Sequence, residues 1–115
     1  GVCQDFAHLA IGCLRSLGYP ARYVSGYLET LPPPGQEKLV GSDASHAWFA
    51  VFSPTEGWFE FDPTNDNMPA EQHIVTAYGR DYSDVTPLRG VIFGGGGTQT
   101  LAVSVDVARL SQNAT

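Results

Sequence analysis

The chain has 115 residues, of which 12 are acidic and 6 are basic, and 43% are hydrophobic. A chain of this length buries roughly two-thirds of its unfolded surface, which is enough for one core and one domain. The formal net charge of -6 and the scattered basic residues exclude nucleic acid as a main partner, because phosphate binding needs clustered Lys and Arg. No apolar run approaches the ~18 residues that a membrane span needs, so we expect no membrane partner either.

The first predicted element is an amphipathic helix over residues 3–17. Its apolar residues recur at the i, i+3, i+4 and i+7 spacing of a helix that buries one face. They are Phe6, Leu9, Ala10, Cys13, Leu14 and Leu17. Gly18 is typical of a helix C-terminus, and Pro20 cannot continue the helix. We therefore expect Cys13 to be a core residue on this face, and residues 20–29, rich in Tyr and Val, to form a strand.

Two aromatic-rich runs in the middle of the chain predict an antiparallel hairpin. Residues 45–52 and 58–62 flank a cluster of turn-forming residues. Alternate side chains of a strand share a face, so His46 and Trp48 lie on the face that Asp62 also takes. The expected register brings His46 directly or diagonally opposite Asp62, within hydrogen-bonding reach. Trp48 is expected to shield the imidazole or to contact a substrate.

The second half of the chain offers weaker strand signals. Residues 73–78 predict a short strand, and His73 at its start is expected to be a partly buried structural histidine. Residues 91–93 and 101–107 are further strand candidates, the second because apolar residues alternate with small or polar ones. The glycines of residues 94–97 favour a loop between them. A phosphate-binding loop is excluded because no Lys-Ser or Lys-Thr pair follows.

Cys3, His46 and Asp62 are the candidate catalytic residues. Cys3 opens the predicted helix, where the positive end of the helix dipole favours a thiolate. A thiol nucleophile also needs a base that takes and returns a proton, and the base needs an orienting partner. His46 and Asp62 suit these two roles. The three side chains would approach a zinc site only with a fourth ligand, and no paired CxxC or HxxxH spacing supplies one, so we expect no metal and no cofactor.

Three separated motifs resemble the bacterial transglutaminase-like superfamily in residue type and in order. They are Gly1-Val-Cys-Gln-Asp-Phe-Ala-His8, Ser45-His-Ala-Trp48 and Gly57-Trp-Phe-Glu-Phe-Asp-Pro-Thr-Asn65. The resemblance continues through residues 22–27 and 79–90. It implies a papain-like α+β core in which an N-terminal helix carrying the cysteine packs on an antiparallel β-sheet. It also implies that Cys3 is the nucleophile, His46 the general base and acid, and Asp62 the orienting residue.

The same resemblance implies acyl transfer on amide bonds through a thioester, which water or a second amine then resolves. Hydrolysis is favoured slightly, because water is always available and no amine site is evident, and the expected partner is a protein or peptide substrate or another amide. A non-catalytic papain-like module for protein binding is the alternative, against which the presence of all three residue types speaks. We expect residues 1–115 to be one catalytic core domain of a longer, cytoplasmic protein, and the sequence leaves the oligomeric state open.

Overall fold

The computed structural model describes residues 1–86, 90–91, 93–97 and 102–110. Within these residues the chain forms one α-helix, four β-strands and one short 3-10 helix. They are, in chain order, α1 (Cys3–Ser16), β1 (Ala21–Leu28), β2 (Ala44–Ser53), β3 (Gly57–Phe61), β4 (His73–Gly79) and the 3-10 helix (Tyr82–Asp84). The strands form one antiparallel sheet in the order β3-β2-β1-β4, and α1 packs on it. The predicted α+β architecture, with an N-terminal helix on an antiparallel sheet, is confirmed.

Local contacts cap α1 at both ends. At its start the Val2 N–H donates to the Asp5 carboxylate at 3.0 Å, which satisfies a donor that the first helical turn leaves unpaired. At its end Gly18 adopts a φ of 88°, and the Tyr19 N–H bonds to the Leu14 carbonyl. This is the Schellman turn, in which glycine is favoured because its φ is positive. No helix in the described part of the chain has the length and apolar character needed to cross a membrane.

The face of α1 that packs on the sheet differs from the predicted one. Ala7 and Ile11 are buried, at 0% and 3% exposed, and Cys3 and Leu14 are half-buried beside them. Leu14 is the member of the predicted face that packs on this core. The expectation that Cys13 is a core residue is wrong, because Cys13 is exposed. Three further members of that face are also largely exposed, namely Phe6 at 43%, Leu9 at 67% and Leu17 at 73%.

The sheet decides which of the two apolar stripes of α1 is buried, since both follow helical spacing. The buried core on this side combines the ring of Tyr23 with three alanines, Ala7, Ala21 and Ala47, and with Ile11 and Val85. Tyr23 is 1% exposed, so α1 must come close to the sheet to cover it. The stripe that contains Ala7 permits that approach because alanine is small. The larger side chains of Phe6 and Leu9, on the predicted face, would hold the helix further from the sheet.

The hairpin of β2 and β3 forms as predicted, and each face of the sheet carries a buried cluster. Ser53 pairs with Gly57 across the turn, where Gly57 has a φ of 89°. Side chains alternate as expected, so that Ala47 faces α1 and Trp48 faces the opposite side. A second core lies on that opposite side, formed by Val24, Trp48 and Ala50, each 0% exposed.

Gly26, in the central strand β1, lets side chains of the neighbouring strands meet. Its partners in the sheet are His46 on β2 and Val75 on β4. A Cβ at this position would lie 2.9 Å from Cη2 of Trp48 and would collide with the Ile74 carbonyl oxygen. The indole of Trp48 therefore extends across β1, through space that any other residue at position 26 would fill.

Beyond β3, one of the three predicted strands is present. Residues 73–78 form most of β4, as predicted. Val91 and Phe93 lie in no strand, contrary to the prediction, and Ile92 is outside the described residues. Residues 94–97 lie in neither a helix nor a strand, which agrees with the predicted loop.

The predicted strand over residues 101–107 is wrong from residue 102 onward, and Leu101 is outside the described residues. Residues 102–107 contain one isolated bridge, between Val105 and Asp43. The Asp43 carboxylate accepts the Val107 N–H, so this segment is held partly by a side chain instead of a strand ladder. Val103 is 73% exposed, which shows that alternation predicts a half-buried strand only where a neighbouring strand is present.

Ala7→Leu is expected to lower the free energy of unfolding by about 1–3 kcal/mol, because the larger side chain must fit between α1 and the ring of Tyr23. Leu9→Ala, on the exposed face of the same helix, is expected to change it by about 0.5 kcal/mol or less. Urea unfolding followed by circular dichroism measures both variants. A larger loss in Leu9→Ala than in Ala7→Leu would contradict the packing described here.

Candidate functional site

The N-terminus of α1 and the beginning of β2 border a cavity of about 180 Å³. Cys3, the first residue of α1, and His46 of β2 both line it. Tyr23 and Ser25 of β1 and Tyr82 of the 3-10 helix form further parts of the wall. The structure thus brings two of the three sequence-predicted catalytic residues to one cavity.

The third, Asp62, is hydrogen-bonded to the ring of His46. His46 Nε2 and Asp62 Oδ2 are 2.8 Å apart. Phe49 of β2 pairs with Phe61 of β3, which places Asp62 next to Trp48 and diagonal to His46, as the hairpin predicts. Because Asp62 occupies Nε2, Nδ1 is the ring nitrogen left for proton exchange with another group.

Asp62 is a buried carboxylate, 1% exposed, and both of its oxygens are engaged. Oδ1 accepts the backbone N–H groups of Thr64 and Asn65 at 3.1 and 3.2 Å. Oδ2 is 2.8 Å from each of three side-chain nitrogens, which belong to His46, His73 and Asn65.

These hydrogen bonds determine the charge of Asp62. Burial by itself raises the pKa of a carboxyl group, but the hydrogen bonds from His73, Asn65 and His46 outweigh it and hold the pKa of Asp62 below its ordinary value. Asp62 is therefore ionised at neutral pH and can only accept hydrogen bonds. Both imidazoles must accordingly donate to it through Nε2–H.

His73 and Asn65 belong to this site, and the sequence analysis did not assign them to it. The expected partial burial of His73 is confirmed, since its side chain is 5% exposed. Its hydrogen bond to Asp62 depends on β1 lying between β2 and β4, an order that the sequence does not reveal. Asn65 stands three residues after Asp62 in a turn-forming stretch, and this spacing is the signal that would have marked it as a local partner.

Trp48 packs against both imidazoles and is itself 0% exposed. Its ring lies 5.0 Å from that of His73, edge-on, and 5.8 Å from that of His46. Its Nε1–H donates to Glu60 at 2.6 Å, which fixes the orientation of the indole. Trp48 lies beside the imidazole that it is expected to shield, and it is not among the residues that line the cavity. Its two expected roles, shielding and substrate contact, stay predictions.

Tyr23 contributes a protonated hydroxyl to the wall of the cavity. Its side chain lies under α1 and is 1% exposed. Burial, together with the neighbouring Cys3 and Tyr82, raises the pKa of Tyr23 to about 12. At neutral pH Tyr23 is therefore available as a hydrogen-bond donor.

His46, Asp62 and His73 also form a cluster with the chemistry of metal ligands. One ligand atom from each residue lies within 4.8 Å of the others. Two imidazoles and a carboxylate suit zinc, but both Nε2 atoms are bonded directly to the same carboxylate oxygen at 2.8 Å. Cys3 is not a member, so the cluster differs from the zinc set considered from the sequence. Hydrogen bonding accounts for the positions of these side chains without a metal.

Comparison with known proteins gives a family for the first part of the chain. A family model described as the transglutaminase-like superfamily matches residues 1–63. An uncharacterized protein of Mycobacterium tuberculosis is 52% identical over 111 residues, which are 93% of this chain and 35% of that protein. An uncharacterized protein of Mycobacterium leprae is 49% identical over 114 residues, which are 96% of this chain and 38% of that protein. A protein-glutamine gamma-glutamyltransferase of Pseudomonas aeruginosa is 39% identical over 70 residues, which are 60% of this chain and 10% of that protein.

The matched part of the chain contains all three candidate catalytic residues. Cys3, His46 and Asp62 lie within the residues 1–63 that the family model covers. The chain spans little more than a third of the length of its mycobacterial relatives. No solved structure matches the chain significantly.

Asp62→Asn is expected to lower the free energy of unfolding at pH 7 by roughly 1–3 kcal/mol, because the neutral amide replaces only one of the two acceptor oxygens and turns an NH2 donor towards the donors that the other oxygen had bound. A carboxyl whose folded-state pKa is lowered stabilises the fold above its unfolded pKa of about 3.9, and this contribution is lost as the pH falls through the folded pKa. The difference between wild type and variant should therefore shrink below about pH 4. Urea unfolding at pH 7, 5 and 3 measures it.

Asp66→Asn serves as the matched control, because Asp66 is exposed in the same loop. Its effect on stability should stay within about 0.5 kcal/mol at each pH. A wild-type advantage over Asp62→Asn that does not change with pH would contradict the assignment of an ionised, stabilising carboxylate.

Proposed function

Because the chain belongs to the transglutaminase-like superfamily, we propose that it transfers acyl groups from amide bonds through a cysteine thioester. Cys3 is the proposed nucleophile, His46 the general base and acid, and Asp62 the orienting residue. The observation that supports this best is one cavity lined by both Cys3 and His46, with His46 held at 2.8 Å by a buried carboxylate. Cys3 is the first residue of α1, at the positive end of the helix dipole. The proposal includes a papain-like arrangement of the core.

The proposed reaction moves one proton back and forth through His46. Cys3 gives its proton to Nδ1 of His46, and the thiolate attacks the carbonyl carbon of the amide. The C–N bond breaks, the amine leaves with the proton from His46, and a thioester remains on Sγ. Water or a second amine then attacks the thioester, loses a proton to His46, and releases the thiolate. Nε2 of His46 stays bonded to Asp62 throughout.

The tetrahedral intermediates carry negative charge on oxygen and need hydrogen-bond donors. The backbone N–H of Cys3, in the first turn of α1, is one candidate. Tyr23 is a second, because its hydroxyl stays protonated and it lines the same cavity. Loss of one such donor commonly slows acyl transfer by roughly 100-fold or more.

The acyl acceptor decides between hydrolysis and amine transfer. We favour hydrolysis of a peptide or another amide, because the cavity is open to water and needs no second binding site. Transfer to an amine is the second candidate, favoured by the similarity to the Pseudomonas aeruginosa protein, whose name specifies gamma-glutamyl transfer from protein glutamine. A protein or peptide is the proposed substrate in both cases.

Cys3 is expected to react with iodoacetamide at a lower pH than Cys13, because His46 accepts its proton. Cys13 is exposed on α1 and provides a second thiol for comparison in the same sample. In His46→Ala the profile of Cys3 should move up towards that of Cys13, whose own profile should not change. Peptide mass spectrometry after alkylation at graded pH measures both thiols.

His8→Ala is the matched control for the loss of a histidine. His8 lies on α1, where its Nε2 accepts the Tyr82 N–H at 3.1 Å, and its removal should leave the Cys3 profile in place. Identical profiles for Cys3 and Cys13 in the wild type, unaffected by His46→Ala, would count against the enzyme and favour the non-catalytic binding module.

With a glutamine-containing peptide, the wild type is expected to release ammonia and to form a thioester on Cys3. His46→Ala should slow ammonia release by roughly 10²–10⁴-fold, the scale of general acid–base catalysis, and Cys3→Ala should abolish the thioester. Added cadaverine separates the two acceptors, since transfer yields a peptide amide and hydrolysis yields the acid. Ammonia release that is unchanged in Cys3→Ala would overturn the proposed chemistry.

A further inference from the structure

Two imidazoles share one carboxylate oxygen in the described part of the chain. Nε2 of His46 and Nε2 of His73 are each 2.8 Å from Oδ2 of Asp62. The two histidines come from β2 and β4, which are separated by β1, and their ring centres are 6.0 Å apart. Both side chains are nearly buried, with 9% of His46 and 5% of His73 exposed. The proposed mechanism uses only the first of them.

We propose that His73 is a positioning residue for the reaction, a neutral imidazole whose Nε2–H holds Oδ2 of Asp62 in the place from which Asp62 orients His46. This inference rests on the proposed function. His73 is not among the residues that line the cavity of Cys3 and His46, and it acts through Asp62.

The surroundings of Nδ1 of His73 explain why this imidazole is neutral. Nδ1 is buried and has no hydrogen-bond partner among the described residues. In the neutral ring with its proton on Nε2, Nδ1 carries only a lone pair. The charged ring would bury an N–H donor without an acceptor, which is the more costly state for a group in contact with the indole of Trp48.

The groups around His73 agree with a neutral ring, because the charge of the hydrogen-bonded cluster is the negative charge of Asp62. His46 and Asn65 approach the same carboxylate from β2 and from the turn after β3. Glu60 of β3, on the same face of the sheet, accepts the indole Nε1–H of Trp48, and Glu29, which lines a cavity with His73, accepts hydrogen bonds from Arg109. Asp62 is therefore the carboxylate that accepts the hydrogen bond of His73. If His73 were charged as well as His46, the two imidazolium rings would have to share the single negative charge of Asp62.

The two histidines thus differ in whether a ring nitrogen is available for proton transfer. His46 lines the cavity with Cys3, and its Nδ1 is not taken up by Asp62, so it can gain and lose a proton during acyl transfer. His73 has its donor committed to Asp62 and its other nitrogen enclosed. His73 accordingly stabilises the position of Asp62 without taking part in proton transfer.

Both oxygens of Asp62 have hydrogen-bond donors, and these donors, His73 among them, hold the carboxylate in place. Three side-chain donors on Oδ2 and two backbone donors on Oδ1 fix both the position and the rotation of the carboxylate. Removal of the His73 donor takes away one of the three side-chain restraints on Oδ2, so that the carboxylate can shift towards its remaining partners, His46 and Asn65. The His46 ring is then held less precisely in the cavity. Precise support of this kind is what a base needs for efficient proton transfer.

The test compares His73→Gln with His73→Leu. A glutamine amide nitrogen can take the place of Nε2 and donate to Asp62, but it carries no titratable proton, whereas leucine fills the space without a donor. Gln is expected to keep the rate of ammonia release and the pH profile of Cys3 alkylation close to wild type. Leu is expected to reduce ammonia release by roughly 10- to 100-fold, the scale of a lost hydrogen bond to a charged group, and to shift the profile of Cys3 towards that of Cys13.

Two controls separate positioning from general loosening of β4. Thr76→Val removes the Thr76 hydroxyl bond to the Ser25 carbonyl at 3.1 Å, in the same strand, and should leave the alkylation profile unchanged. In an Asp62→Asn background the His73→Leu substitution should have no further effect on the profile, because its partner is already altered. Equal behaviour of Gln and Leu, or full additivity with Asp62→Asn, would overturn the inference.

A spectroscopic measurement keeps the inference testable if His73→Leu does not fold. Nitrogen-15 NMR of the wild-type imidazoles at pH 7 should show a proton on Nε2 of His73 and none on Nδ1, and a doubly protonated ring or a proton on Nδ1 alone would overturn it. Failure of the proposed function has a different signature, namely that Cys3 in the wild type is no more reactive than Cys13, whatever stands at position 73.

Discussion

The carboxylate of Asp62 holds a full negative charge at a position that is 1% exposed. A buried charge is tolerated only where hydrogen bonds replace the water that it loses on folding. Here two backbone N–H groups and three side chains supply them, and the three side chains belong to His46, His73 and Asn65. Because these donors come from β2, from β4 and from the turn after β3, one ionised group ties together three separate parts of the chain.

The two faces of the sheet contribute differently to the site. On one face, small residues around Tyr23 let α1 approach closely, and this brings Cys3 to the cavity. On the other face, Gly26 leaves space in the central strand, and the indole of Trp48 crosses it to contact His73. His46 belongs to the second face by strand alternation, and yet it lines the cavity to which α1 brings Cys3.

Much of the fold could be predicted from local patterns, because helix periodicity, strand alternation and turn chemistry act over a few residues. The bounds of α1 and of the β2–β3 hairpin differ from the predicted ones by at most one residue. The errors arise where a distant partner decides the outcome. The buried face of α1 depends on what the sheet offers beneath it, and the segment over residues 102–107 lacks the neighbouring strand that its alternation would need.

The amino-acid sequence by itself determined the superfamily, the hairpin and the closeness of His46 to Asp62, because a hairpin register is set by the residues of the two strands and the turn between them. Only the tertiary structure decided that His73 completes the site and that Cys13 does not belong to the core. His73 meets Asp62 through the strand order β3-β2-β1-β4, a long-range arrangement that no local spacing encodes. Which stripe of α1 is buried is likewise decided by packing against the sheet, since two stripes with the same periodicity are equivalent until one of them has a surface to cover.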